Sequence, residues 1–130
     1  MKINKQTQVM IQPVHETPWG GWQVLVEEDD YKIKRILVNP GHRLSYQRHH
    51  HREEYWTIVA GNGHVVLNDT KIPVEPGQML HIPKEAAHRM ANTGSTVLIF
   101  VEVQKGTYFG EDDIIRLEDD YGRAEPKSTN

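Results

Sequence analysis

The chain has 130 residues, 37% hydrophobic and 25% charged, which is enough for one globular domain over 1–130 with its own core. A formal net charge of -3 with no long basic run argues against nucleic acid or an anionic membrane as partner. With no cysteine, neither a disulfide nor a thiolate metal site can form. The opening MKINKQTQVMIQ lacks the continuous apolar region of a signal peptide, and no run is long enough to span a bilayer. The expected compartment is the cytoplasm.

Residues 1–17 are polar and mixed, and read as an irregular arm or an edge strand. Trp22 to Glu27 is β-rich, Glu28-Asp29-Asp30 is a hairpin turn, and Tyr31 to Val38 returns. Asn39-Pro40-Gly41 turns into a strand from Leu44 to His49. Glu54 to Ala60 follows a histidine-rich link. Gly61-Asn62-Gly63 supplies residues tolerant of positive φ and reads as a hairpin. His64 to Asn68, Lys71 to Val74, Met79 to Ile82 and His88 to Ala91 are short strands between turn signals, and Thr96 to Gln104 is a long one.

Short strands with turn signals at roughly ten-residue spacing predict an all-β sandwich or barrel. Its core is expected over 18–109. In the acidic tail, Ile114, Ile115 and Leu117 suggest one helical turn or a strap within 110–123. The last residues, 124–130, read as disordered.

The stretch richest in metal ligands is PGHRLSYQRHHHREEYWTIVAG, from Pro40 to Gly61. Successive strand residues point to opposite faces, so Gln47 and His49 share a face and His50 points away. Glu54 opens the next strand, and His88 lies beyond the Pro83 turn. Imidazole, carboxylate and amide oxygen together suit a divalent cation of borderline hardness. A four-group site needs ligands from neighbouring strands converging on one face, and the positions of Gln47, His49, Glu54 and His88 allow it. His51 has the parity of His49 and is a further candidate, either as ligand or as pocket lining. His15, His42, His64 and His81 read as structural or exposed.

The spacing also carries a family resemblance. Gly41, five residues, Gln47-x-His49, four residues, Glu54, six residues and Gly61 resemble the first cupin motif, with glutamine in place of the usual first histidine. Gly77, five residues, Pro83-x-Glu85-x-x-His88, three residues and Asn92 resemble the second, with Glu85 where glycine is usual. The resemblance implies a cupin-type jelly roll, or double-stranded β-helix.

Across Pro18-Trp19-Gly20, LSYQRHHHREEYW, HRMAN and VEVQKGTYFGEDDIIRLEDDYGR, the chain resembles the C-terminal cupin domain of type II phosphomannose isomerases. That domain is often fused to a mannose-1-phosphate guanylyltransferase. The resemblance implies the same Gln-x-His, Glu, His ligand set, here on a stand-alone isomerase module. It further implies interconversion of mannose 6-phosphate and fructose 6-phosphate through an enediolate.

Such chemistry needs one divalent metal as Lewis acid, a base to move a proton between C2 and C1, and a cation for the phosphate. Zinc is the first expectation for the metal, with manganese, cobalt, nickel or iron also able to accept these ligands. Glu102 is the candidate base, because it interrupts the apolar strand Val97 to Val103 where a carboxylate needs a partner or a role. Lys34 and Arg116 lead the phosphate candidates, with Arg43 and Arg89 behind them. Arg43 shares the parity of Ser45, Gln47 and His49. Tyr108, Glu111 and Asp112 are placed to close over the pocket. A homodimer is expected through barrel edges. The alternative function is a non-catalytic module that binds a sugar or sugar phosphate beside a separate nucleotidyltransferase.

Overall fold

The computed structural model describes residues 12–124. Two antiparallel sheets face each other. The first runs β1-β2-β3-β10-β5-β8, and the second β11-β4-β9-β6-β7. In chain order these are β1 (His15–Thr17), β2 (Gly20–Glu27), β3 (Tyr31–Val38), β4 (Tyr46–His49), β5 (Arg52–Ala60) and β6 (Gly63–Leu67). Then come β7 (Thr70–Val74), β8 (Met79–Ile82), β9 (His88–Asn92), β10 (Leu98–Gly106) and β11 (Ile114–Glu118). Among the described residues, no helix is long and apolar enough to cross a membrane.

Alternation on the central strands sets the interior. On β5, Arg52, Glu54, Trp56 and Ile58 are buried while Tyr55, Thr57 and Val59 are exposed. On β10, Leu98, Phe100, Glu102 and Gln104 are buried. Register stacks these positions in layers. Ile36, Phe100 and Ile58 form one, Lys34, Glu102 and Trp56 the next, and Gln104 and Glu54 another. One end of the interior is therefore apolar and the other carries charge. At the apolar end Trp56 packs on Phe100 with ring centroids 4.6 Å apart, and Val38, Val65, Met90 and Leu98 are fully enclosed. That end supplies the burial that stabilises the fold. The charged end needs partners or a ligand.

Several boundaries differ from the expectations. The β6–β7 turn sits at Asn68 and Asp69, one residue early, with φ of 46° and 67°. Asn and Asp tolerate this left-handed region, and paired positive φ values twist a two-residue hairpin the right way. The segment Ile114–Glu118 is a strand, not a helical turn. It pairs with β4 in the register Ile114 to His49 and Arg116 to Gln47. One 3-10 turn, Glu111–Asp113, leads into it. Of the N-terminal arm, His15–Thr17 is an edge strand on β2. Residues 1–11 and 125–130 lie outside the described residues, and with them nearly all of the tail expected to be disordered. Phe100 is core, but its neighbour Val101 faces the other way and is half-buried.

Candidate metal centre and its cavity

His49, Glu54 and His88 come together from the end of β4, the start of β5 and the start of β9. One ligand atom from each lies within 4.8 Å of the others. His49 Nε2 is 3.3 Å from Glu54 Oε2, and His88 Nε2 is 3.8 Å from Glu54 Oε1. Gln47 is the direct cross-strand partner of His88. Its Oε1 accepts a hydrogen bond from Ser45 Oγ at 3.3 Å.

The tautomer of His88 is fixed by its surroundings. Nδ1 donates to the Ala86 carbonyl at 2.9 Å, which leaves Nε2 with its lone pair. That Nε2 is buried and has no hydrogen-bond partner among the described residues. An unpaired acceptor so deeply buried is costly unless something else takes the lone pair. Two imidazole nitrogens, one carboxylate and a neighbouring amide oxygen fit a divalent metal ion.

Electrostatics agree with that fit. Burial lowers His49 to about 4 despite the opposing charge of Glu54, and it lowers His88 as well, so both rings are neutral near pH 7. Burial is the largest influence on Glu54 and alone would raise it, but Arg52, His49, His88 and the Trp56 indole together outweigh it and hold the carboxyl down to about 2. Arg52 Nε donates to Glu54 Oε2 at 2.9 Å, and Trp56 Nε1 donates to Oε1 at 3.0 Å. The donor set is two neutral ligands and one anion.

A cavity of about 260 Å³ opens beside this cluster. Gln47, Arg52 and Glu54 line it together with Glu102, Lys34 and Arg116, and Trp19, Trp22, Ile36 and Leu44 give it an apolar wall. Glu102 is 5% exposed. Burial and the nearby charge of Glu54 raise it to about 7, against the pull of Arg52 and Lys34. Gln104 Nε2 donates to its Oε1. It titrates near neutrality, as a general base should.

The cations around the cavity differ in one respect. Lys34 Nζ is held by Glu111 Oε1 at 2.7 Å and lies 4.2 Å from the centre of the Trp22 ring. Arg52 is paired with Glu54, and Arg123 with Asp119 at 2.8 Å. Arg116 has no carboxylate partner within the described residues, and its buried Nε has no hydrogen bond.

Other candidates fall elsewhere. Arg43 does not share the face of Gln47. It is exposed and grips Asp120 through two bonds of 2.7 and 2.8 Å. A bridge to Ala91 and the bonds from Leu44 N to the Met90 carbonyl and from Asn92 N to the His42 carbonyl tie this backbone to β9. Asp120 draws the Arg43 side chain out of the cavity that Ser45 and Gln47 line. Arg89 donates to the Leu44 carbonyl and pairs with Glu118. The His51 side chain is 57% exposed and lies 4.0 Å from Asp113, away from the three-residue cluster. Tyr108 is exposed and bonds Asp112, while Glu111 does reach the cavity wall. Arg52 was not among the sequence candidates. The signal for it was its parity with Glu54, which emerges once the strand is started two residues earlier.

The family described as mannose-6-phosphate isomerase, C-terminal, matches residues 4–119. The chain belongs to that family. It is 46% identical over 110 residues to the alginate biosynthesis protein AlgA of Pseudomonas aeruginosa, covering 84% of this chain and 23% of that one. It is 41% identical over 124 residues to a mannose-1-phosphate guanylyltransferase of Escherichia coli, covering 95% and 26%. The chain thus spans about a quarter of the length of these relatives. Among solved structures, the capsular polysaccharide assembling protein CapF of Staphylococcus aureus superposes with a TM-score of 0.73 at 20% identity, over 82% of this chain and 34% of its own. The nucleoside dehydratase Pac13 of Streptomyces gives 0.71 at 17% identity, over 90% and 93%. At such identities the likeness speaks for the fold, the cupin double-stranded β-helix, and not for chemistry.

Proposed function

We propose that this chain is a metal-dependent aldose–ketose isomerase that interconverts mannose 6-phosphate and fructose 6-phosphate. The observation that carries the reading is Glu102, a buried carboxylate raised to about 7, lining the same cavity as Gln47 and Glu54. Membership of the mannose-6-phosphate isomerase C-terminal family supports the choice of sugar.

In this reading Gln47, His49, Glu54 and His88 hold one divalent ion, zinc first. Bound there, it would supply Lewis-acid polarisation of the sugar carbonyl. The chain's own groups do the rest. Glu102 as carboxylate takes the proton from C2 of the open-chain aldose and returns it to C1 while the hydroxyl proton passes from O2 to O1, leaving the ketose carbonyl at C2. No redox cofactor enters the balance. Arg116 takes the phosphate, since it is the cavity cation with no carboxylate of its own among the described residues. Anchoring that remote group helps hold the reacting carbons in place. Trp19, Trp22 and Leu44 exclude water from one side.

A second reading is a sugar-phosphate-binding module that works beside a nucleotidyltransferase. It is favoured by the relatives named guanylyltransferases, of which this chain covers about a quarter. A coupled assay separates the two. Mannose 6-phosphate is given to chelator-stripped protein, and divalent metals are added back singly. Metal-dependent fructose 6-phosphate supports the isomerase. Sugar-phosphate binding without turnover, in protein that holds metal, supports the module.

A further inference from the structure

Arg52 touches two of the ligand residues at once. Its Nε donates to Glu54 Oε2 at 2.9 Å, and its Nη2 lies 3.3 Å from His49 Nε2. An arginine has only donors, so the His49 nitrogen it faces is the one bearing the lone pair. These are the carboxylate oxygen and ring nitrogen that lie 3.3 Å from each other. The guanidinium is therefore engaged with the same electron pairs that a metal ion would use. Its side chain is 4% exposed, and the third nitrogen, Nη1, is buried with no hydrogen bond among the described residues.

We propose that Arg52 is the resident cation of the ligand cluster, competing with a divalent metal for His49 and Glu54. The inference rests on the metal-site reading above. Without metal, the guanidinium compensates the buried Glu54 charge, which would otherwise be left unpaired. When a metal enters, Nη2 must leave His49 Nε2, because one lone pair cannot serve both. Nη1 and Nη2 are then free to turn toward the cavity that Arg52 already lines. The arginine lowers metal affinity and keeps the metal-free site assembled. The closeness of Glu102 to the same cavity means that a displaced guanidinium stays among anionic neighbours.

The test titrates chelator-stripped protein with Co2+ by absorbance and with Zn2+ by calorimetry, comparing wild type with Arg52→Gln and Arg52→Lys. The expected result is a tenfold or greater tightening for Arg52→Gln, with an intermediate value for Arg52→Lys. The metal-free Arg52→Gln protein should melt lower, and should gain more from saturating metal than wild type does. Equal or weaker affinity in a folded Arg52→Gln protein overturns the proposal and leaves Arg52 as a support for Glu54. Should that variant fail to fold, the arginine Nε–H resonances of wild type decide. One of them must shift in step with one equivalent of Zn2+, and none shifting overturns the idea. If wild type and both variants bind no metal at all, the metal-site reading itself fails.

Discussion

Lys34 and Glu102 are direct cross-strand partners on β3 and β10, and both line the cavity, yet no ion pair joins them. Lys34 gives its ammonium to Glu111 instead, so among the described residues the Gln104 amide is the hydrogen-bond donor left to Glu102. Its carboxyl is thereby raised from 4.5 to about 7 by burial and by Glu54. The native state binds this proton more tightly than the unfolded chain does. The contribution to stability is complete below about 4.5 and is lost as pH rises through about 7. His49 and His88, both lowered by burial, add stability as pH rises through the same range. The Glu102 part is therefore read by difference: the melting temperature of metal-free wild type should fall relative to that of Glu102→Gln across that window. Turnover should run the other way and climb with pH as the base deprotonates, with its midpoint below 7 because a cation bound at Glu54 would favour the Glu102 carboxylate, while Glu102→Gln keeps its metal and loses turnover. A difference between the wild-type and Glu102→Gln melting temperatures that does not change with pH would contradict the assignment.

His88 offers a sharper test of the centre. Its Nδ1 is committed to Ala86, and its Nε2 has no other protein partner among the described residues. Replacing His88 by Ala should reduce bound metal from about one per chain to near zero by elemental analysis. His51→Ala, at a side chain 57% exposed, should leave the stoichiometry unchanged.

Arg116 should act on binding more than on chemistry. Arg116→Gln removes a charge-assisted bond worth about 1.5–3 kcal/mol. The expected outcome is a KM for mannose 6-phosphate raised about 10- to 100-fold with kcat little changed. Lys34→Gln would break the Glu111 pair and so report on the wall, not on the phosphate. A KM unmoved in Arg116→Gln would remove it from the phosphate site.

Asn92 ties three segments together. Its buried Nδ2 donates to the carbonyls of Val38 and Thr96, each at 2.8 Å, and Oδ1 accepts from the Gly94 amide at 2.9 Å. Asn92→Ala should cost about 2–3 kcal/mol, read by denaturant melts, because it strands buried backbone groups. Metal affinity should change little, since Asn92 closes the opposite end of β9 from His88.

Much of this architecture was legible in the residues. Tyr31–Val38 and Met79–Ile82 have the predicted bounds, because both lie between unambiguous turns. His49, Glu54 and His88 do come together; alternation put Gln47 and His49 on one face, and the resemblance to the two cupin motifs pointed to Glu54 and His88. Glu85 is instructive in another way. It sits at φ 69°, the left-handed region, which explains why glycine is usual at that place. Here its amide donates to the His49 carbonyl at 2.9 Å, and its carboxylate takes His50 Nδ1 at 2.6 Å.

What escaped the sequence depended on distant partners. Ile114-Ile115-x-Leu117 fits a helical turn as well as a strand, and only the open edge of β4 decides for the strand. The partners of Arg43 and Lys34 lie 77 residues away. No local pattern distinguishes an arginine that faces a cavity from one that faces an aspartate brought in by the tail.

The pairing of β11 with β4 also bears on how the protein is made. Synthesis proceeds from the N-terminus, and domains tend to fold as units as they emerge. Of the residues lining the cavity, Glu111, Ile114, Arg116 and Arg123 emerge last. A nascent chain contains His49, Glu54 and His88 before it contains the segment that completes the cavity wall. In the proposed reading, the residues that would hold a metal are therefore synthesised before those that complete the cavity.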